Sequence, residues 1–130
     1  MELHIEKKIY YHDTDSGGVV YYANYLKYLE EGRYEYCLKK GVDLAIYITK
    51  GTVFPVVHIE VDYTSPARYA DTIRVYTRLE KIGNSSIRFI QEIRKDTTTL
   101  VKAKTIWACI GNDFKLKAVP EEIKQALTSA

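Results

Sequence analysis

The stretch Tyr22-Ala23-Asn24-Tyr25-Leu26-Lys27-Tyr28-Leu29-Glu30-Glu31-Gly32-Arg33-Tyr34-Glu35-Tyr36-Cys37-Leu38-Lys39-Lys40-Gly41 decides how this chain is built. Tyr22, Leu26, Leu29, Arg33, Tyr36 and Cys37 recur at three- and four-residue steps, the spacing of one packed helical face. Lys39 and Lys40 suit the negative end of the helix dipole, and Gly41 is a natural stop. From Tyr22 to Lys40 such a helix runs about 30 Å at 1.5 Å per residue, long enough to cross a sheet.

Outward from this helix the period changes to two. A short helical turn over Asp43–Lys50 ends at Gly51. Val53, Pro55, Val57, Ile59, Val61 and Tyr63 then share one face of a strand, opposite Phe54, Val56, His58, Glu60 and Asp62. Pro55 suits a strand start or a sheet edge. Ser65 to Asp71 reads as a connector. Alternating strands follow through Ile73–Leu79, Ile87–Ile93 and Leu100–Ile110, turning at Gly83-Asn84 and Asp96-Thr97. A first strand, Leu3–Tyr11, precedes the helix, and Pro120-Glu121-Glu122 opens a short C-terminal one. With one long helix and five strands, the economical solution is a curled antiparallel sheet wrapping that helix. The expectation is a single α+β domain over residues 1–130.

Composition narrows the function classes. A net charge of +2, with 46% apolar and 28% charged residues, gives no electrostatic reason to expect nucleic acid as a partner. No apolar run approaches the roughly 20 residues of a membrane helix, and Met1 to Lys8 carries no secretory signal. Cys37 and Cys109 lack metal-binding or redox spacing and read as buried reduced thiols, so a cytoplasmic address is expected. Twelve tyrosines against three phenylalanines favour half-wet surfaces, between subunits or around a ligand.

Ahead of the helix lies His12-Asp13-Thr14-Asp15-Ser16-Gly17-Gly18-Val19-Val20-Tyr21-Tyr22. The two glycines allow a sharp turn, and a helix start presents free N–H groups and a positive dipole end. A carboxylate facing such donors can attack a carbonyl, or activate water against it, while the amides hold the oxyanion. Asp15 is the candidate for that role; the competing reading is a turn or cap carboxylate. Asp13 reads as a brace for the loop. The pattern is not an EF-hand, because Gly17 and Asn24 stand where a ligand and a bidentate glutamate are required. Nor is it a phosphate loop of P-loop type, since the Lys and Ser/Thr are missing.

Taken together, Tyr10 to Tyr25, Val61 to Asp71, Asn84-Ser85-Ser86 and Leu116 to Pro120 make the chain resemble a hotdog-fold protein of the 4-hydroxybenzoyl-CoA thioesterase family. Within it the chain is most similar to the short Tol–Pal-associated acyl-CoA thioesterases, over essentially its whole length. The resemblance implies hydrolysis of an acyl-CoA thioester to acid and free CoA. Asp15 then acts as nucleophile or general base, and the Tyr22 N–H polarises the carbonyl. It also implies a homo-oligomer, a dimer or dimer of dimers (homotetramer), with sites at the subunit interface. No cofactor or metal is implied, CoA being part of the substrate. Substrate contacts would come from His12, Gly18, Val19, His58, Arg68, Asn84, Ser85 and Ser86. The chain departs from that type at His12, where glutamate is usual, at Tyr22, where histidine is usual, and at Ala70, where an acid is common.

Two residues keep open readings. His58 points away from the Val57 and Ile59 face, and suits a sheet surface as well as a site. Arg33, alone among apolar neighbours on the helical stripe, is either an interface ion-pair partner or a buried brace. The alternative to an enzyme is a hotdog module that binds acyl-CoA or acyl-carrier protein without turnover.

Overall fold

A computed structural model describes residues 2–129. Five strands, β1 (Glu2–Lys8), β2 (Val56–Tyr63), β3 (Thr72–Ile82), β4 (Ser86–Lys95) and β5 (Thr98–Ala108), form one antiparallel sheet ordered β1-β3-β4-β5-β2. Helix α1 (Asn24–Lys39) packs against β1, β3 and β4, with α2 (Leu44–Thr49) beside it. Helix α3 (Glu121–Thr128) closes the far end of the core through Ile123 and Leu127. No helix among the described residues is long and apolar enough to cross a membrane. The α+β hotdog architecture expected from the sequence is the architecture found.

Several boundaries move; β1 ends at Lys8 rather than Tyr11, because Tyr11–Asp13 turn as a 3-10 helix. Helix α1 has 16 residues, about 24 Å at 1.5 Å per residue, and starts at Asn24 rather than Tyr22. The reason is local: the Tyr21 N–H donates to the Asp13 carbonyl, which folds the Tyr21–Ala23 segment into a turn before the helix. Strand β2 starts at Val56, and a bulge between Val56 and His58 reverses the expected facing of Phe54 and Val56. Phe54 packs on Trp107 with ring centroids 5.7 Å apart, on the helix side of the sheet. One inserted residue changes the side on which its neighbours emerge.

The core has two apolar halves with a polar layer between them. Leu29, Val75, Ile93 and Ala103 belong to one half; Tyr36, Phe89 and Trp107 belong to the other. Arg33, Thr77, Gln91 and Thr105 occupy the intervening positions on the same elements, and all four are buried. Their polar groups meet partners inside. Gln91 Nε2 donates to the Leu29 carbonyl and to Thr77 Oγ1, both at 2.9 Å, while Arg33 Nη1 donates to Gln91 Oε1 at 3.0 Å. Arg33 Nη1 also reaches Thr105 Oγ1 at 3.4 Å. Gly32 is what lets α1 sit this close. A Cβ there would lie 2.8 Å from Val75 Cγ1 and 3.0 Å from Gln91 Nε2.

Candidate active site

The loop between β1 and α1 is closed by its own main chain. A 3-10 turn over Tyr11–Asp13 buries Asp13, whose Oδ2 accepts the Tyr10 N–H at 2.8 Å. The Asp13 carbonyl accepts from the Tyr21 N–H at 3.1 Å and from Asn24 Nδ2 at 2.9 Å. Beneath it, burial first and the nearby Asp13 carboxylate second push the Tyr28 phenol up, so it stays protonated. The Asp15 N–H donates to the Val19 carbonyl at 2.9 Å, and the Gly18 N–H returns to the Asp15 carbonyl at 3.1 Å. Gly18 has φ +77°, a left-handed conformation that a residue with a Cβ resists. These bonds present the exposed Asp15 side chain at the loop tip. Its Oδ1 accepts the Gly17 N–H at 2.8 Å, and its Oδ2 has no hydrogen-bond partner among the described residues. One oxygen anchors the carboxylate and the other faces outward.

The loop is tied to the connector between β2 and β3. The Val20 N–H donates to the Ala67 carbonyl at 2.9 Å, and the Ala67 N–H donates to Tyr25 Oη at 2.9 Å. Val19 and Arg68 form an antiparallel bridge. Ile9 exchanges main-chain bonds with Asp71 and Ala70 at 2.8 and 2.9 Å. The Asp71 carboxylate accepts the Arg68 N–H and Lys95 Nζ, each at 2.8 Å. Burial opposes its ionisation, but these donors outweigh it and hold the carboxyl below the ordinary aspartate range.

Tyr22 stands in the turn ahead of α1, and among the described residues no group accepts its N–H. Its carbonyl accepts from Tyr63 Oη at 3.2 Å, and the two rings meet edge to face. Beside it opens a cleft of about 280 Å3, walled by Val20, Tyr22, Tyr25, Tyr63 and the Thr64-Ser65-Pro66 segment. Burial raises the Tyr25 and Tyr63 phenols, keeping both neutral: Tyr25 Oη accepts from the Ala67 N–H, and Tyr63 Oη donates to the Tyr22 carbonyl. An unpaired main-chain donor beside a cleft is what a developing oxyanion needs.

The fold brings some of the expected site residues together and separates others. His12, Asp15, Gly18, Val19 and Tyr22 share the loop, and Arg68 joins them through its bridge to Val19. His12 is exposed, its ring stacked on Tyr10 and its Nδ1 3.8 Å from Asp13 Oδ1. His58 lies on the sheet face away from α1, with Nε2 3.4 Å from Glu60 Oε2. Asn84, Ser85 and Ser86 sit at the opposite end of the 11-residue β3, about 35 Å along the strand from Asp71. There the Asn84 and Ser85 carbonyls hold the Val119 and Cys109 N–H groups. Within one chain the turn and the loop form no common site. Sequence reasoning missed the tyrosine cleft and the role of Asp71. The signal for Asp71 was only an acid closing a connector, whereas Tyr63 carried none.

Residues 10–127 match the profile of the thioesterase-like superfamily. The chain is similar to the acyl-CoA thioesterase YbgC of Haemophilus influenzae, with 33% identity over 92% of this chain and 89% of that one. It is similar also to the acyl-CoA thioester hydrolase YbgC of Escherichia coli O157:H7, with 30% identity over 89% and 88%. A crystal structure of a probable thioesterase from Bartonella henselae superimposes with a TM-score of 0.86 at 29% identity, covering 92% of this chain and 100% of that one. With this match across most of its length and these relatives, the chain belongs to the thioesterase-like superfamily.

Proposed function

We propose that the protein hydrolyses acyl-CoA thioesters to a carboxylic acid and free CoA, using Asp15 and the Tyr22 N–H. The observation that carries this reading is the combination of an Asp15 carboxylate anchored by one oxygen with an unpaired amide at the mouth of the tyrosine cleft. As general base, Asp15 takes a proton from water while the water oxygen bonds to the thioester carbonyl carbon. The oxyanion that forms accepts from the Tyr22 N–H. When it collapses, the carbon–sulfur bond breaks and the proton passes from Asp15 to the departing thiolate. As nucleophile, the Asp15 carboxylate instead bonds to the carbonyl carbon and expels the CoA thiolate. Water then opens the acyl anhydride to the acid and the free Asp15 carboxylate, and the proton this releases goes to the thiolate. Substrate contacts would come from His12, Gly18, Val19 and Arg68 on the loop side.

The working unit in this proposal is a homo-oligomer. Strand β2 is a sheet edge, paired only with β5, and exposes Val56, Val57 and Tyr63. A second copy covering that edge satisfies its open main-chain groups. A second copy also offers the route by which His58 or the Asn84–Ser86 turn could approach a loop they do not reach within one chain.

The test is release of thiol from a series of acyl-CoAs, with Asp15→Asn alongside. Asparagine keeps an acceptor for the Gly17 N–H but removes the charge. The fold should therefore be retained while kcat falls about 10^2- to 10^4-fold. An Asp15→Asn variant with undiminished turnover overturns the assignment. Tight acyl-CoA binding by the wild type without thiol release would identify a binding module instead.

A further inference from the structure

A cavity of about 510 Å3 lies away from Asp15 and Tyr22, between α1, α2 and the segment entering β2. Its walls are mostly apolar: Leu44 and Ile48 from α2, Val53, Phe54 and Val56 from the other side, and Trp107 below. Beside Glu30, Glu31 and Glu35, the one cation in its lining is Arg33. That side chain is only 4% exposed, yet no carboxylate pairs with it among the described residues. Its hydrogen bonds go to Gln91 and Thr105, both neutral, and both use Nη1. Nε is buried without a partner, and Nη2 donates to nothing among the described residues. Buried cations are ordinarily paired, because desolvating a lone charge is costly. Burial presses the guanidinium down to about 10, still charged at neutral pH.

The unpartnered guanidinium edge and the apolar walls beside it point to one kind of occupant. We propose that this cavity binds an amphiphilic monocarboxylate, its carboxylate on the vacant edge of Arg33 and its apolar body along Phe54, Val56 and Ile48. A planar guanidinium edge suits a carboxylate in particular. A volume near 500 Å3, apolar on one side and charged on the other, is that of a small-molecule site. Glu30, Glu31 and Glu35 stand around the opening, and Glu31 is engaged by Lys7 at 3.5 Å. Glu30 acts on the Arg33 charge through space, and the three carboxylates oppose a multiply charged anion such as a phosphate more strongly than a single carboxylate. The site shares no residue with the loop or the tyrosine cleft, so it stands independently of the proposed hydrolysis.

Trp107 is the only tryptophan of the chain and lines the cavity, so its emission reports occupancy directly. Intact wild-type protein is titrated with hexanoate and with 1-hexanol, which share a tail. Hexanoate should produce a saturable change at least tenfold tighter than hexanol. Arg33→Gln should abolish that preference. Ala45→Phe, which fills the cavity from its α2 wall and leaves Arg33 untouched, should weaken both ligands at least tenfold. Because Arg33→Gln removes a buried group and can unfold the protein, the acid-to-alcohol ratio and the Ala45→Phe result decide the matter without it. Equal affinity for acid and alcohol overturns the proposal. So does an unresponsive Trp107 at millimolar hexanoate; if Ala45→Phe then weakens self-association in sedimentation, a second copy is the occupant.

Discussion

Replacing Gly32 by alanine should destabilise the protein, against the usual direction for glycine inside a helix. In an exposed helix interior the change gains about 1 kcal/mol. Here the new methyl would meet Val75 Cγ1 at 2.8 Å, while comfortable carbon contacts begin near 3.5 Å. It would also crowd Gln91 Nε2 and Thr77 Oγ1, each 3.0 Å away. Either Val75 retreats by about 0.7 Å, or α1 lifts from β3 and β4. Overpacking of this kind costs about 1–3 kcal/mol. Losing one of the two Gln91 Nε2 hydrogen bonds adds about 1 kcal/mol. Set against the helix gain, the net loss is about 2 kcal/mol, or roughly 8 °C in Tm at about 4 °C per kcal/mol for a domain of this size. Urea unfolding followed by circular dichroism should show a lower midpoint at unchanged m-value. A midpoint raised by the ordinary 1 kcal/mol would refute the close approach of helix to sheet on which the polar layer depends.

Three further outcomes are expected. Burial pushes the Cys37 thiol up to about 12, so at pH 8 it should resist iodoacetamide in the folded protein and react promptly in urea, as mass spectrometry would record. Asp71 ionises more readily folded than unfolded. Its contribution is therefore complete above about pH 4 and is lost as the pH falls through its depressed folded value. Asp71→Asn should cost about 1 kcal/mol at pH 7 and flatten the loss of stability on acidification, measured by urea melts from pH 7 to 3. Ala70 holds φ +71°, where a Cβ is strained, so Ala70→Gly should raise stability by about 0.5 kcal/mol in the same melts.

Periodicity was enough for the elements because each strand alternates and α1 carries one long stripe. Length and order then left few ways to cover the helix. The polar layer was harder to see. Thr77, Gln91 and Thr105 occupy inward positions on three strands, but nothing in a linear sequence aligns those positions until the register pairs Thr77 with Gln91 and Phe89 with Thr105. Arg33 had two open readings for the same reason. In this chain it is a buried brace through Nη1, with an edge left over. Asp15 and Tyr22 could be singled out as candidates because glycine punctuation and a helix start are local signals. The tyrosine cleft was not, since Tyr63 arrives from β2, 41 residues away from Tyr22. The bulge at Val56 escaped because an extra residue between alternating apolar positions leaves the composition unchanged.

The fastening of the Asp15 loop to the connector has a mechanical consequence. Main-chain bonds of Ile9 with Asp71 and Ala70 and of Val20 with Ala67 stitch it to the end of the β1–β3 pair, and the Tyr25 phenol adds a bond from the Ala67 N–H. Such a loop cannot swing like a hinged flap without first unzipping part of the sheet. Amide protons of Val20 and Ala70 should therefore exchange with deuterium only as slowly as those of the neighbouring strands, and heat should extinguish turnover and structure at one temperature rather than two.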